Sequence, residues 1–331
     1  MKFTMLEANG FHDTLFGKYE GPIVSAILDT EEAWKNKQIA PLIFRTVQSD
    51  NYGEGYVSVT AADDWEPVGE NGAHPNNGFR EGFKKFIENM TWKTRMAISR
   101  ELADDGKITD MTQLAKRKCD SFYRTRERFF AQMLGEALQG HTSMSVKGQV
   151  FDISAADGLA MFATNHAPKV SGANQSNLYA DAFSAGALFK AMTAMQNIKG
   201  DNDEILDMNP DTIIIPNIAG LKEDVLTAIA SLQKPGTGDN DINTVMGKMN
   251  VIVWPYLNQF LGSLTAPWII MDSDYMDKHD CAIHQERVAV EMDNKIGDNN
   301  EFITDGYARF GGGFVDWRGL MACGITGGSN L

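Results

Sequence analysis

The chain reads as an α+β protein: a strand-rich body built around one long helix, with a smaller α/β unit in its second half. Three observations lead there. Residues 109–139 hold an amphipathic pattern longer than most helices of globular proteins. Tyr56-Val57-Ser58-Val59-Thr60 and Thr91-Trp92-Lys93-Thr94-Arg95-Met96-Ala97-Ile98 alternate with the period of strands. From about residue 205, an apolar strand, a helix and two further strands follow in α/β order.

Composition sets the outer limits. With 331 residues, 43% hydrophobic and 22% charged, the chain can bury a sizeable core in one large or two modest domains. A net charge of −14 argues against a surface built to grip nucleic acid, which needs cations to displace counterions. The same charge suits a soluble surface, or an acidic wall to which an anionic cargo does not adhere. Cys119, Cys281 and Cys323 lie far apart and form no CxxC, so neither a disulfide framework nor a zinc site is expected, and a reducing cytoplasm suits the chain. No run of about 20 apolar residues predicts a membrane span. Met1–Asn9 has no apolar core of signal-peptide length, so export by that route is not expected.

Residues 1–45 predict a helix through Leu15, Phe16, Tyr19, Ile23, Ile27 and Leu28, interrupted at Gly21-Pro22. Between 46 and 100 the two alternating runs are separated by a stretch rich in Gly, Pro and Asn, from Gly69 to Gly78, and by Phe79 to Glu88. The reading is two strands joined by a long projecting excursion. A loop of that length fits poorly inside a compact domain and is sensible where a hairpin reaches a neighbour.

The long helix has Asp110 and Gln113 near its start, Gly140 as its stop, and Leu114, Phe122, Phe129, Met133 and Ala137 as its expected apolar stripe. It is also locally basic. Lys116, Arg117, Lys118, Arg124, Arg126 and Arg128 meet only Asp120 and Glu127 in that stretch. Three readings stay open: a solvated face with intrahelical pairs, a nucleic-acid surface, or a contact with an acidic part of another subunit.

Beyond it, Ser145–Asp152 and Met161–Pro168 read as short strands, and 180–199 as a helix with Phe183, Leu188, Phe189, Met192, Met195 and Ile198 as apolar positions. Asp211–Asn217, Val251–Pro255 and Trp268–Met271 are apolar strands, Leu221–Leu232 a helix, and 234–241 a loop. Arg287–Met292, Glu301–Phe310 and Gly313–Gly319 return as strands.

No motif for catalysis persuades. Gly311-Gly312-Gly313 lacks the Lys-Ser/Thr of a phosphate loop and suits a bend or close backbone approach. Asp201–Glu204 and Asp239–Asp241 lack the rest of a calcium loop. None of the six histidines has ligand spacing, and Cys119 in the basic helix reads as core. No cofactor and no metal are expected. Catalytic triads leave no local trace, so this absence is informative without being decisive.

The order of elements resembles the tailed-bacteriophage major capsid proteins of the Hong Kong 97-type fold. Local stretches carry the same resemblance. Phe162-Ala163-Thr164-Asn165-His166-Ala167-Pro168 follows the helix, and Asn209–Pro216 resembles the strand that opens the family's axial domain. Gly306-Tyr307-Ala308-Arg309-Phe310 with Gly313-Phe314-Val315-Asp316-Trp317-Arg318 resembles its C-terminal strands. The resemblance implies an N-terminal arm (1–45), an extended E-loop hairpin (46–100), a peripheral domain with the spine helix (101–204), an axial domain (205–285) and C-terminal peripheral strands (286–331).

The same resemblance implies a structural protein and not an enzyme. Copies would form hexamers and pentamers of an icosahedral shell around double-stranded DNA, with a separate scaffolding protein and a portal as partners. Assembly would take place in the host bacterial cytoplasm and the product would reside in the virion. Arm and E-loop would lie on neighbouring copies. Asp63, Asp64 and Glu66, with Trp65 between them, are expected to dock near the basic residues Lys116, Arg117, Arg124, Arg126 and Arg128 of a neighbour. Lys84 and Lys85 are the E-loop lysines for an inter-subunit contact, but no motif identifies an asparagine partner and no covalent crosslink is inferred. The loop with Lys234, Pro235, Gly236, Asp239 and Asp241 would face the capsomer centre. Two rivals remain: an encapsulin-like compartment of the same fold, and a soluble α/β enzyme using residues 205–285.

Overall fold

A computed structural model describes residues 2–4, 17–59, 67–74, 81–105, 108–233, 242–243 and 246–330. The first half runs β1 (Lys2–Thr4), α1 (Gly17–Lys35), α2 (Ala40–Ile43), β2 (Arg45–Gln48), β3 (Gly53–Val59), β4 (Glu81–Glu88), β5 (Met90–Ile98), α3 (Arg100–Asp104), α4 (Ile108–Leu138), β6 (Ser143–Val146) and β7 (Gln149–Asp152). The second runs α5 (Ala185–Gln196), β8 (Thr212–Pro216), α6 (Ala219–Ala230), β9 (Asn250–Trp254), a 3-10 turn (Pro255–Phe260), β10 (Trp268–Met271), α7 (Ser273–Lys278), β11 (Ala282–Ile296), β12 (Phe302–Phe314) and β13 (Leu320–Cys323).

α4 is the axis of the molecule. Its 31 residues span roughly 46 Å at 1.5 Å per residue. It ends at Gly140, whose φ of +79° a side chain would resist. In its first half Met111, Ala115 and Cys119 step four residues at a time along one line and pack on Ile23 and Ile27 of α1. Trp34 locks that contact, stacking on Tyr123 with ring centroids 5.8 Å apart and donating its indole N–H to Asp120 at 2.7 Å. Thus residues 21–35 of the expected arm lie on their own spine. α1 also runs through Pro22, which sits early in the helix, where the loss of one N–H bond is tolerated better than in the middle. In its second half α4 enters the main core through Phe129, Phe130, Met133, Leu134, Ala137 and Leu138. Leu114, expected in the apolar stripe, is 39% exposed, because it falls off the line on which Met111 and Ala115 meet α1.

Two sheets flank the spine. The five-stranded sheet runs β1-β11-β12-β5, with β2 pairing the other end of β11. The four-stranded sheet runs β13-β10-β8-β9, and every residue of β8, β10 and β13 is buried, as fully apolar runs require. Beyond residue 286 the strands divide between the sheets: β11 and β12 run in the larger one, while β13 lies against β10 in the smaller. Thr91–Ile98 also pairs differently from the expected hairpin. β3 pairs with β4, whereas β5 runs along β12. Asn89 makes the switch. Its N–H donates to Tyr52 O at 2.8 Å and its buried amide donates to Ser49 Oγ at 2.8 Å and Asn51 O at 3.0 Å.

The triple glycine lies inside β12 and serves close approach. An added Cβ at Gly311 would sit 2.2 Å from Glu88 O, and one at Gly312 would sit 2.5 Å from the Phe130 ring. β6 and β7 form a two-residue hairpin through Lys147 and Gly148, both at positive φ (50° and 86°), the signature of a type I′ turn.

Residues 161–168, expected as a short strand, form no named strand. Side chains hold this backbone instead. Asn177 donates its amide to Met161 O, Trp317 O and Leu320 O at 2.9, 3.1 and 3.1 Å. His166 stacks on Trp317 at 4.3 Å and pairs with Asp157 at 2.5 Å. Arg318, buried, bridges Asp201 at 2.8 Å and Asp316 at 3.1 Å. Two carboxylates around one guanidinium keep it charged despite burial.

Candidate assembly surface

The expected contact residues separate into four groups. Asp63, Asp64, Trp65 and Glu66 lie outside the described residues, and so do Lys234, Pro235, Gly236, Asp239 and Asp241. Arg117, Arg124 and Arg128 are exposed on α4, and Lys116 is half-buried. Lys84 is exposed on β4 and pairs with Glu81 at 2.8 Å. Lys85 and Arg126 differ from the rest, because their side chains are largely buried as well as paired within the chain.

Lys85 alternates inward on β4 and is 7% exposed. Its ammonium reaches Asp152 at 2.7 Å and Ser154 Oγ at 2.9 Å. Partial burial works to raise the Asp152 carboxyl, but hydrogen bonds from Lys85 and Ser154 prevail and hold it below the ordinary carboxylate value. Ile87, two residues on, packs with Ile283 and Val315, and Tyr56 OH accepts from Gln285 Nε2 at 3.0 Å. The base of the β3–β4 hairpin therefore belongs to its own body. Arg126 bonds Gln38 and approaches Glu286 at 3.5 Å while covering the rings of Phe122 and Tyr123. These contacts engage Lys85 and Arg126 with their own chain.

Beside Arg126, Glu127 is 1% exposed and joins three parts of the chain. It accepts the N–H groups of Ile39 and Ala40 at 3.1 and 3.2 Å and the indole N–H of Trp254 at 3.2 Å. Burial pushes its carboxyl up, against those donors. The spine, the segment after α1 and the four-stranded sheet meet at this one side chain.

Four cationic side chains converge on one groove. A groove of about 730 Å³ opens between α4, the five-stranded sheet and the β6–β7 hairpin. Lys118 and Arg128 line it from the helix, Lys93 from β5 and Lys147 from the hairpin turn, and among the described residues no Asp or Glu lines it. Its apolar wall includes Trp92, whose ring stacks on Phe310 at 4.7 Å and meets the edge of Phe129 at 5.5 Å. Lys118 was not among the expected contact residues. The signal for it was present in the spacing of Lys118, Ser121, Phe122, Thr125, Arg128, Phe129 and Gln132, which puts all seven on one side of a helix.

Exposed apolar side chains gather in two further places. Cross-strand register puts Val57 and Phe86 on the outer face of the β3–β4 hairpin. Leu226, Leu232, Ile242 and Met246 lie on α6 and the segments around residues 234–241. Among the described residues no group of His, Cys, Asp and Glu is placed to hold a metal ion, and no helix is long and apolar enough to cross a membrane.

A long spine, two sheets and a hairpin with an apolar outer face make up the architecture of the chain. The matching family model is described as "Phage capsid protein" and covers residues 89–322; the chain belongs to that family. It is a structural shell protein and not an enzyme, a component of the virion. No curated protein matches the chain. Solved structures share its Hong Kong 97-type fold. The capsid of a native GTA particle is 12% identical, over 88% of this chain and 90% of that one, with a TM-score of 0.52. That of Mycobacterium phage Patience is 10% identical over 93% and 87%, with a TM-score of 0.51. The capsid of Ralstonia phage GP4 is 9% identical over 85% and 86%, also at 0.51.

Proposed function

We propose that this chain is the major head protein of an icosahedral shell, assembling as hexamers and pentamers around double-stranded DNA in the host bacterial cytoplasm. A separate scaffolding protein and a portal are its partners in that reading. The observation that carries it is the exposed apolar surface at two extremities of a family member whose core is otherwise well buried. Patches of this kind mark association. The β3–β4 hairpin would meet one neighbour, and the segment with Lys234, Pro235, Gly236, Asp239 and Asp241 would meet others around a capsomer centre. Many modest contacts then act together through effective concentration.

Within the shell, Asp63, Asp64 and Glu66 would approach Lys116, Arg117, Arg124 and Arg128 of an adjacent copy. Each exposed pair contributes only about 0–1 kcal/mol, so several must act together. Reversing Arg117 and Arg124 to Glu is expected to lower particle yield without unfolding the chain. Unchanged yield and particle stability would remove those contacts from the account. Native particle mass with and without nuclease tests the cargo: protected DNA fits the phage head, whereas protein cargo fits an encapsulin-like compartment.

A further inference from the structure

Three inward positions of β4 rest on the chain's own body. Phe83 lies under the ammonium of Lys169, 4.9 Å from its ring centroid, Lys85 reaches Asp152 and Ser154, and Ile87 packs on Ile283 and Val315. The outer two contacts tolerate sliding, and the middle one is directional. Lys85 donates to Asp152 Oδ2 at 2.7 Å and to Ser154 Oγ at 2.9 Å, and Ser154 Oγ donates to Asp152 Oδ1 at 2.7 Å, closing a triangle at the end of β7. Stability alone does not call for this arrangement, since an apolar side chain at a buried position often serves as well as an ion pair. What the triangle adds is direction, because each hydrogen bond holds over a narrow range of angle and distance.

Its place on the hairpin gives that direction a use. The β3–β4 ladder is regular from Gly53 opposite Glu88 to Val57 opposite Lys84, and its register shifts between Val57 and Val59. Lys85 therefore sits at the outer end of the regular stem. The root is held less completely. Asn89 and Gln285 are 1% and 0% exposed and donate to Ser49, Asn51 and Tyr56, but among the described residues their carbonyl oxygens have no hydrogen-bond partner. On an extended strand the Cα atoms of Lys85 and Ile87 are about 7 Å apart, so a shift of about 1 Å at Lys85 turns the stem by roughly 8°. Rotations between neighbouring copies in rings of six and of five differ by about 12°, a turn of the same order.

We propose that Lys85, Asp152 and Ser154 form a clamp that fixes the angle at which the β3–β4 hairpin leaves its own body, and that this angle sets the curvature of the shell. The proposal rests on the shell reading above and adds to it the residues that choose between ring geometries. Closed, the clamp holds the stem in one direction. Loosened, it lets the stem swing by the few degrees that separate a flatter contact from a more curved one, and rings of six and five form in the wrong proportion.

The test uses the full chain, with particle diameters read by electron cryomicroscopy. Lys85→Met and Asp152→Asn are each expected to replace the single diameter of the unaltered particles with several size classes or open sheets, while circular dichroism of the unassembled chain stays native. Lys85→Glu should do the same, and combining it with Asp152→Lys should bring the single diameter back. Leu134→Ala, which weakens the core without touching the clamp, should lower particle yield and leave the diameter unchanged. A single diameter in both Lys85→Met and Asp152→Asn, or equal broadening by Leu134→Ala, would overturn the clamp and leave the shell reading standing. Should the Lys85 variants fail to fold, Asp152→Asn decides alone, because the Asp152 side chain is 63% exposed and its loss of charge leaves the fold intact. Failure of the unaltered chain to build particles of any size would sink the shell reading and the clamp with it.

Discussion

The two halves of α4 follow the same helical geometry and do different work. From Phe129 to Leu138 nearly every side chain is buried against the 3-10 turn, β12 and the four-stranded sheet. From Thr109 to Arg128 one line is buried against α1, and the opposite side carries exposed Arg117, Arg124 and Arg128. One half is a core element, and the other packs on one side and leaves a cationic side exposed. The join falls at Glu127, the single buried carboxylate that ties both halves to the rest of the chain.

Mutating both halves alike breaks or sharpens that contrast. Leu134→Ala, at a fully buried site, should cost about 2–5 kcal/mol in thermal or denaturant unfolding, whereas exposed Leu114→Ala should stay within about 0.5 kcal/mol. Equal costs would end the distinction. Acid titration comes next. His284 lies against Phe130 of the core half at 4.7 Å, and burial with Arg126 nearby lowers its pKa to about 3. The unfolded imidazole titrates near 6.5, so the folded state binds fewer protons between the two values. Its contribution is complete above about pH 6.5 and is lost as pH falls toward 3, by about 1.4 kcal/mol per pH unit at most. His284→Phe should flatten that limb of the stability profile relative to the unaltered chain. Glu127→Ala should cost about 1–3 kcal/mol by stranding the Ile39, Ala40 and Trp254 donors, with chemical denaturation as the measure. Smallest is the stability effect of Arg117→Glu with Arg124→Glu, within about 0.5 kcal/mol each, alongside the lowered particle yield expected above.

These contrasts also explain what could be seen in the sequence. The spine was legible because its helical period persists over eight turns, and β8 and β10 because a fully apolar run needs burial on both faces. Strand pairing was not. Residues 91–98 read as the strand joined to 56–60, with 79–88 part of the excursion between them, whereas 81–88 is what pairs β3; the change of partner falls at Asn89, whose side-chain N–H groups donate to the distant Ser49 and Asn51. Charge alone could not separate Arg126 from Arg124, since their difference is that Gln38 and Glu286 stand beside one and not the other. The groove left no local motif because it draws on α4, β5, β11, β12 and the β6–β7 turn. Lys118 and Arg128 share a face with Leu114, and only the fold shows what lies opposite.

Electron cryomicroscopy of the purified full chain, expressed alone and with its neighbours from the same viral assembly, tests the central claim most directly. The account predicts closed particles whose walls are tiled by rings of six and five copies, each β3–β4 hairpin resting on an adjacent copy. A uniform population of solitary molecules, with the hairpin seated wholly on its own chain at every concentration tried, would contradict it.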